Sequence, residues 1–241
     1  MIIVSGASNN HYKSLIQFIN SILCFYPNNK FSDTETITLV IYNLDITEDK
    51  WCELKEKFTQ SHIIYKVFDY SKYPSYLNIN INAGEYAWKP VCIYDTYQEY
   101  NNETILWMDS GNKLIRKLDK MNEYILQNGI YSNYSSGDIK YWSYPKTLEY
   151  MKCDLGLYHR INRNAACMGF NSTIDWVKEF IKEFYKLALI KDCIAPEGSS
   201  RSNHRQDQAV FSILYYQYQS KYRFNDNPYI ERCYTIHNDI D

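Results

Sequence analysis

The chain has 241 residues, 45% hydrophobic and 22% charged, with a formal net charge of -2. That composition belongs to a globular protein and excludes wholesale disorder; the length suits one large α/β domain or two small ones. Without a basic block, general binding to nucleic acid or to an anionic membrane is not expected. No apolar run approaches the roughly 18 residues of a membrane span. The opening Met1-Ile2-Ile3-Val4 is too short, and lacks the basic flank, for a signal peptide. The seven cysteines are scattered without CxxC spacing, which predicts reduced thiols, a cytoplasmic location and no zinc site. Tyr contributes 25 residues, but Ile, Asn and Lys are abundant with it, so much of that excess reads as codon drift from an AT-rich genome.

Strand-like and helix-like segments alternate from the first residue. Ile2-Ile3-Val4 reads as a short strand that ends at a small-residue loop, Ser5-Gly6-Ala7-Ser8-Asn9-Asn10. Leu15, Ile19, Ile22 and Tyr26 mark a helix stopped by Pro27. Thr38 to Tyr42 is a second strand. Thr47 then caps a helix carrying Trp51, Leu54 and Phe58, with Glu48 and Asp49 in its favourable first turn. Ile63 to Phe68 is a third strand, and residues 70–84 look irregular. Pro90 suits the first position of a helix with Ile93, Tyr94 and Tyr97.

Next comes Ile105-Leu106-Trp107-Met108, a continuous apolar run that reads as a strand buried on both faces. A helix with Leu118, Met121 and Ile125 ends at Asn128-Gly129. Residues 130–170 look β-rich. A long helix from about Ser172 places Ile174, Val177, Ile181, Phe184 and Ala188 on one face. A polar loop, 192–203, leads to a last helix with Val210, Phe211, Leu214 and Tyr218, and then to a polar tail, 220–241. The expectation is one domain over residues 1–241: an α/β fold with a mixed central sheet flanked by helices.

Three places carry chemistry. Asp109, followed by Ser110-Gly111-Asn112, stands at the carboxyl end of the buried strand, where α/β sheets hold ribose hydroxyls or cations. Asp-Ser-Gly-Asn is equally good turn chemistry by itself. The second place is the segment Pro196-Glu197-Gly198-Ser199-Ser200-Arg201-Ser202-Asn203-His204-Arg205-Gln206-Asp207-Gln208. Asn203 with Gln206 resembles a capping box. Arg201, His204 and Arg205 would add positive charge to a helix start that favours anions. Asp207 shares a face with Val210, Phe211 and Leu214, so it should point inward; a carboxylate that complements the helix dipole is the plainer alternative. The third is Lys89, placed to meet a phosphate, although a lone Lys is usually a solvated one. His237 in the tail is a possible metal ligand or a surface His. No GxGxxG, Walker or GxSxG signature is present.

In order, these pieces resemble the GT-A class of nucleotide-sugar glycosyltransferases. The matching stretches are Ser5-Gly6-Ala7, Trp88-Lys89-Pro90, Leu106-Trp107-Met108-Asp109-Ser110-Gly111, Asn164 to Asn171, and Asp207-Gln208. The phrases Ala195 to Ser200 and Asn203 to Ala209 resemble a family of glycosyltransferase-like proteins found in nematodes and large DNA viruses, which would place a viral chain in the host cytoplasm or the virion. The resemblance implies a GT-A (Rossmann-like) fold and transfer of a sugar from a nucleotide-diphosphate donor to a hydroxyl of a glycan or protein acceptor. It implies Ser5, Gly6, Ala7, Lys89, Asp109, Ser110, Gly111, Asn112, Arg201, His204 and Arg205 for donor binding. Asp207 becomes the catalytic base if the reaction inverts, or a ligand of donor hydroxyls if it retains. Mn²⁺ or Mg²⁺ would sit on Asp109, with His237 a further ligand. Gly111, however, replaces the second acid of the DxD motif, so weaker metal dependence is expected, with charge neutralisation passing to Lys89, Arg201 and Arg205. The rival readings are a non-catalytic binding protein of the same fold and a nucleotidyltransferase.

Overall fold

The computed structural model describes residues 1–31, 35–226 and 231–240. Among the described residues the strands are β1 (Ile2–Ser8), β2 (Thr38–Asp45), β3 (Ile63–Val67), β4 (Thr104–Met108), β5 (Lys113–Leu114), β6 (Ile130–Asp138), β7 (Ile161–Asn171) and β8 (Tyr234–Thr235). The helices are α1 (Tyr12–Phe25), α2 (Glu48–Lys57), α3 (Trp88–Glu99), α4 (Asp119–Asn128), α5 (Ile139–Trp142), α6 (Pro145–Tyr150), α7 (Asp175–Ala188), α8 (Lys191–Ile194) and α9 (Gln206–Tyr222). Six strands form one sheet in the order β3-β2-β1-β4-β7-β6. The pairings among β1, β2, β3 and β4 are parallel, and β7 runs antiparallel to both β4 and β6.

Side-chain alternation assigns the two faces. Val4, Val40, Tyr42, Ile105 and Trp107 join one buried cluster with α3, α7, α8 and α9. Ile3, Leu39, Ile41, Leu106 and Met108 join the other with α1, α2 and α4. β4 is buried at every position, as a strand covered by helices on both faces must be. The chain winds from β1 outward to β3, then crosses back so that β4 lies on the other side of β1. The order therefore reverses between β1 and β4, and a crevice opens at their carboxyl ends.

Several local expectations are corrected. β1 runs on through Ser8, so Ser5-Gly6-Ala7-Ser8 is strand, held by parallel pairing to β2. Thr47 stands at the start of α2, but its hydroxyl makes no capping bond. Pro90 is the third residue of α3, still inside the first turn, where its missing N–H costs nothing. Residues 139–150 break the β-rich stretch with two short helices. The loop at 192–203 begins inside α8 and buries Cys193 and Ile194. Asn203 does not cap α9: its Oδ1 accepts from the Ser200 N–H, and the helix begins at Gln206. α9 is buried on nearly every side because it packs among β7, α7 and α8. The tail is no loose end. β8 pairs with β5, Cys233 and Tyr234 are buried, and Asn238 and Ile240 dock on α1 through Gln17 and Ser14.

Candidate functional site

A cleft of about 900 Å³ lies at the carboxyl ends of β1 and β4. Gly6, Ala7, Lys89, Asp109, Ser110, Gly111, Asn112, Arg201, Arg205, Asp207 and His237 all line it. Elements distant in the chain converge there: β1, the turn after β4, the starts of α3 and α9, and the C-terminal segment.

The turn after β4 is built by its own backbone. Asp109 N–H donates to Ala166 O of β7 at 2.9 Å, and Asn112 N–H closes the turn onto Asp109 O at 2.9 Å. Asp109 is thus a turn former and also a carboxylate at the cleft. Trp107 Nε1 donates to its Oδ1 at 2.7 Å. Lys89, on the first turn of α3, is only 3% exposed and is no solvated surface residue. Three acceptors surround its Nζ: Asp109 Oδ1 at 3.0 Å, Asp207 Oδ2 at 3.0 Å and Ala165 O at 3.1 Å. Burial lowers the proton affinity of this amine, but the two carboxylates outweigh it and hold it above the ordinary ammonium range. One cation between two anions leaves the group net negative. Burial first, and the nearby Asp109 charge after it, push the Asp207 carboxyl above its usual range against the pull of Lys89. Asp207 is 5% exposed and points inward because α9 has almost no solvent face.

Strained backbone borders the cleft. Asn82, Ala83, Gly84, Glu85 and Tyr86 all have positive φ, between 48° and 62°, and Gln206, next to Asp207, has φ 36°. Left-handed conformations at non-glycine residues concentrate at functional sites. Tyr86 and Trp142 carry the two arginines: the Arg201 guanidinium lies 5.4 Å over Tyr86, and that of Arg205 lies 4.0 Å over Trp142.

Two expected donor-site residues lie elsewhere. Ser5 is fully buried and does not line the cleft: it shares a strand face with Ala7 but sits one pleat further from the carboxyl end of β1. His204 is also fully buried and brings no charge. Its Nδ1 accepts from the Tyr144 N–H at 3.2 Å, so the proton must be on Nε2, which donates to Ile194 O at 2.9 Å. Burial pushes its pKa down.

Sequence reasoning missed Asp239, which also lines the cleft. A Cβ added to Gly111 would collide with its carboxylate. The polar tail gave no signal of this, because the contact depends on a return of the chain across more than a hundred residues. Among the described residues, no three His, Cys, Asp or Glu side chains gather as a ready-made metal site.

Solved structures resemble this chain over most of its length. The galactosyltransferase LgtC, solved with donor and acceptor sugar analogues, is 15% identical with a TM-score of 0.53, covering 98% of this chain and 87% of LgtC. Core-mannan synthase A (CmsA/Ktr4) from Aspergillus fumigatus, in its Mn/GDP form, is 9% identical with a TM-score of 0.55, covering 88% and 68%. Mouse xyloside xylosyltransferase 1, in its apo form, is 13% identical with a TM-score of 0.50, covering 88% and 80%. No curated protein matches the sequence. A family profile described as "Protein of unknown function (DUF1647)" matches residues 1–94. At these identities the likeness is one of architecture: the chain has the GT-A, Rossmann-like fold found in glycosyltransferases.

Proposed function

We propose that this chain, as one domain, transfers a sugar from a nucleotide-diphosphate donor to a hydroxyl of a glycan or protein acceptor. The observation that carries the reading is Lys89 Nζ, which ties Asp109 at the strand end to Asp207 at the start of α9 on one cleft. The donor lies across the ends of β1 and β4, with Gly6 and Ala7 giving close backbone approach. Arg201 and Arg205, held on aromatic rings at the same cleft, neutralise the departing diphosphate. A divalent cation, when bound, supplies further neutralisation there, and Asp109 is the residue placed to hold it. Asp207, with its raised proton affinity, takes the acceptor proton if the reaction inverts the anomeric centre; in a retaining reaction it holds donor hydroxyls.

The rival reading is a binding protein without turnover. What favours it is the sharing of Lys89, which already gives both carboxylates a counter-charge. A panel of UDP, GDP, CDP and TDP tests donor binding first. One of them, at about 100 times its dissociation constant, is expected to stabilise the fold by about 2.7 kcal/mol, a melting shift of roughly 5–10 °C. No shift at millimolar concentration of any of them would remove every donor-binding reading. Asp207→Asn then separates enzyme from scaffold. It is expected to cut sugar transfer or donor hydrolysis by about 10²–10⁴-fold while nucleotide affinity stays within a few-fold. Unchanged turnover would take Asp207 out of the mechanism.

A further inference from the structure

A second cavity, of about 570 Å³, lies outside the cleft, along the outer face of α1. Lys13, Ile16, Gln17, Asn20 and Cys24 line it at a spacing of three and four residues, opposite the face that buries Leu15, Phe18, Ile19 and Ile22. From Lys13 to Cys24 this stripe runs about 16 Å, three turns of helix. Leu114 of β5 and Ile240 of the C-terminal segment build the opposite wall. The space is therefore an elongated groove, with Ile16 near one end of the stripe and Phe25 at the other. Its volume falls in the small-molecule range of about 300–1,000 Å³.

The charge of the groove is independent of its shape. The protein has a net charge of -2, yet Lys13 and Lys113 line the groove and none of the residues lining it is acidic. Among the described residues neither amine meets a carboxylate. Apolar walls with two uncompensated ammonium groups complement a ligand with a hydrocarbon chain and one anionic head.

The wall between groove and cleft is one residue thick in places. Asn112 lines the cleft and Lys113 the groove; Asp239 lines the cleft and Ile240 the groove. Hydrogen bonds hold the C-terminal part of this wall. Asn238 N–H donates to Gly111 O at 2.8 Å, Gln17 Nε2 donates to Asn238 O at 2.8 Å, and Ile240 N–H donates to Ser14 Oγ at 2.9 Å.

We propose that this groove binds a long-chain carboxylate, and that the bound chain clamps the C-terminal segment against the cleft. The hydrocarbon lies along α1 between Ile16, Phe25, Leu114 and Ile240, and the lysines receive the head group. Undocking of residues 238–240 would remove the Ile240 wall, so chain binding and docking of the segment favour each other. The groove is thereby a regulatory site for the cleft behind the same wall. The proposal does not rest on the donor reading, because neither the chain nor the clamp involves a nucleotide.

The probe is dodecanoate, below its micelle concentration, with the full chain and no nucleotide. Cys24 and Cys52 are both exposed, but only Cys24 lines the groove. Dodecanoate is expected to slow alkylation of Cys24, read by peptide mass spectrometry, and to leave Cys52 unchanged. From octanoate to dodecanoate, affinity is expected to rise about three- to tenfold for every two methylenes. It should level off beyond about a dozen carbons, the reach of three helical turns. Lys13→Glu combined with Lys113→Glu changes two exposed residues and is expected to weaken binding by roughly tenfold or more, since each attraction becomes a repulsion. No shielding of Cys24, equal shielding of both thiols, equal binding of dodecyltrimethylammonium, or indifference to the double variant each overturns the proposal. Shielding of Cys24 that grows with protein concentration without dodecanoate would assign the groove to a second copy of the chain and also overturn it. Hydrogen exchange reads the clamp. The Asn238 and Ile240 amides are expected to exchange about tenfold more slowly at ten times the dissociation constant. Unchanged exchange at saturation overturns the clamp. Failure of every nucleotide to bind would remove the donor reading and leave these readouts intact.

Discussion

His204 is neutral in the fold because one ring nitrogen accepts a backbone N–H and the other donates to a backbone carbonyl. A second proton would face the Tyr144 N–H with no acceptor, and burial adds to that cost. In the unfolded chain the ring regains its ordinary pKa of about 6.5. The unfolded state therefore binds more protons at low pH, and the contribution of His204 to stability is full above about pH 6.5 and is lost as the pH falls. The limiting slope is about 1.4 kcal/mol per pH unit. Urea unfolding of the wild-type chain and of His204→Gln between neutral and acid pH checks this. The stability gap between them is expected to close on acidification, and a constant gap would contradict it. Lys89 shows the same dependence on surroundings. From the sequence it was a Lys near a helix start, and only its three acceptors reveal a buried tie between two acids. Asp207 was more legible, because helical spacing alone turns it toward Val210 and Leu214. What it faces there, Lys89 rather than His204, comes from α3, an element over a hundred residues away.

At the scale of elements, the left-handed run from Asn82 to Tyr86 holds the approach to α3. Trp88 Nε1 donates to Ala83 O at 3.0 Å, which fastens the turn to the helix that carries Lys89. Gly84 suits its φ of 62°, and a Cβ there would strike Leu77 O. Ala83, at φ 55°, has no such freedom and holds a conformation that costs an L-residue roughly 1–2 kcal/mol. Ala83→Gly is expected to stabilise the fold by about 0.5–1 kcal/mol once the greater unfolded-state freedom of glycine is subtracted. That is a melting rise of about 1–4 °C, read by calorimetry; a fall would show that the turn is not held in this conformation. Strand β4 was readable because a strand covered on both faces needs an unbroken apolar run, and the sequence supplies one. The start of α9 was not. Asn203 and Gln206 have the letters of a capping box, but Asn203 closes a loop onto Ser200 instead. A local side-chain bond and a cap compete for the same groups, and neighbouring structure decides between them.

Across the whole molecule, the cleft sits where the strand order reverses between β1 and β4, and residues from both ends of the chain meet there. The alternation of strands and helices, the burial of β4 and the inward face of α9 follow from spacing and hydrophobicity. These are local properties: a period of two or of 3.6 residues is written in any short window of sequence. They determined that the chain is an α/β protein and that a carboxylate stands at the end of a buried strand. The face on which Ser5 lies, the neutrality of His204, the sharing of Lys89 and the return of Asp239 to Gly111 were decided only by the tertiary structure. Each depends on which distant segment packs against the residue. Burial and partner together set charge and proton affinity, and both are properties of long-range packing that no window of sequence contains.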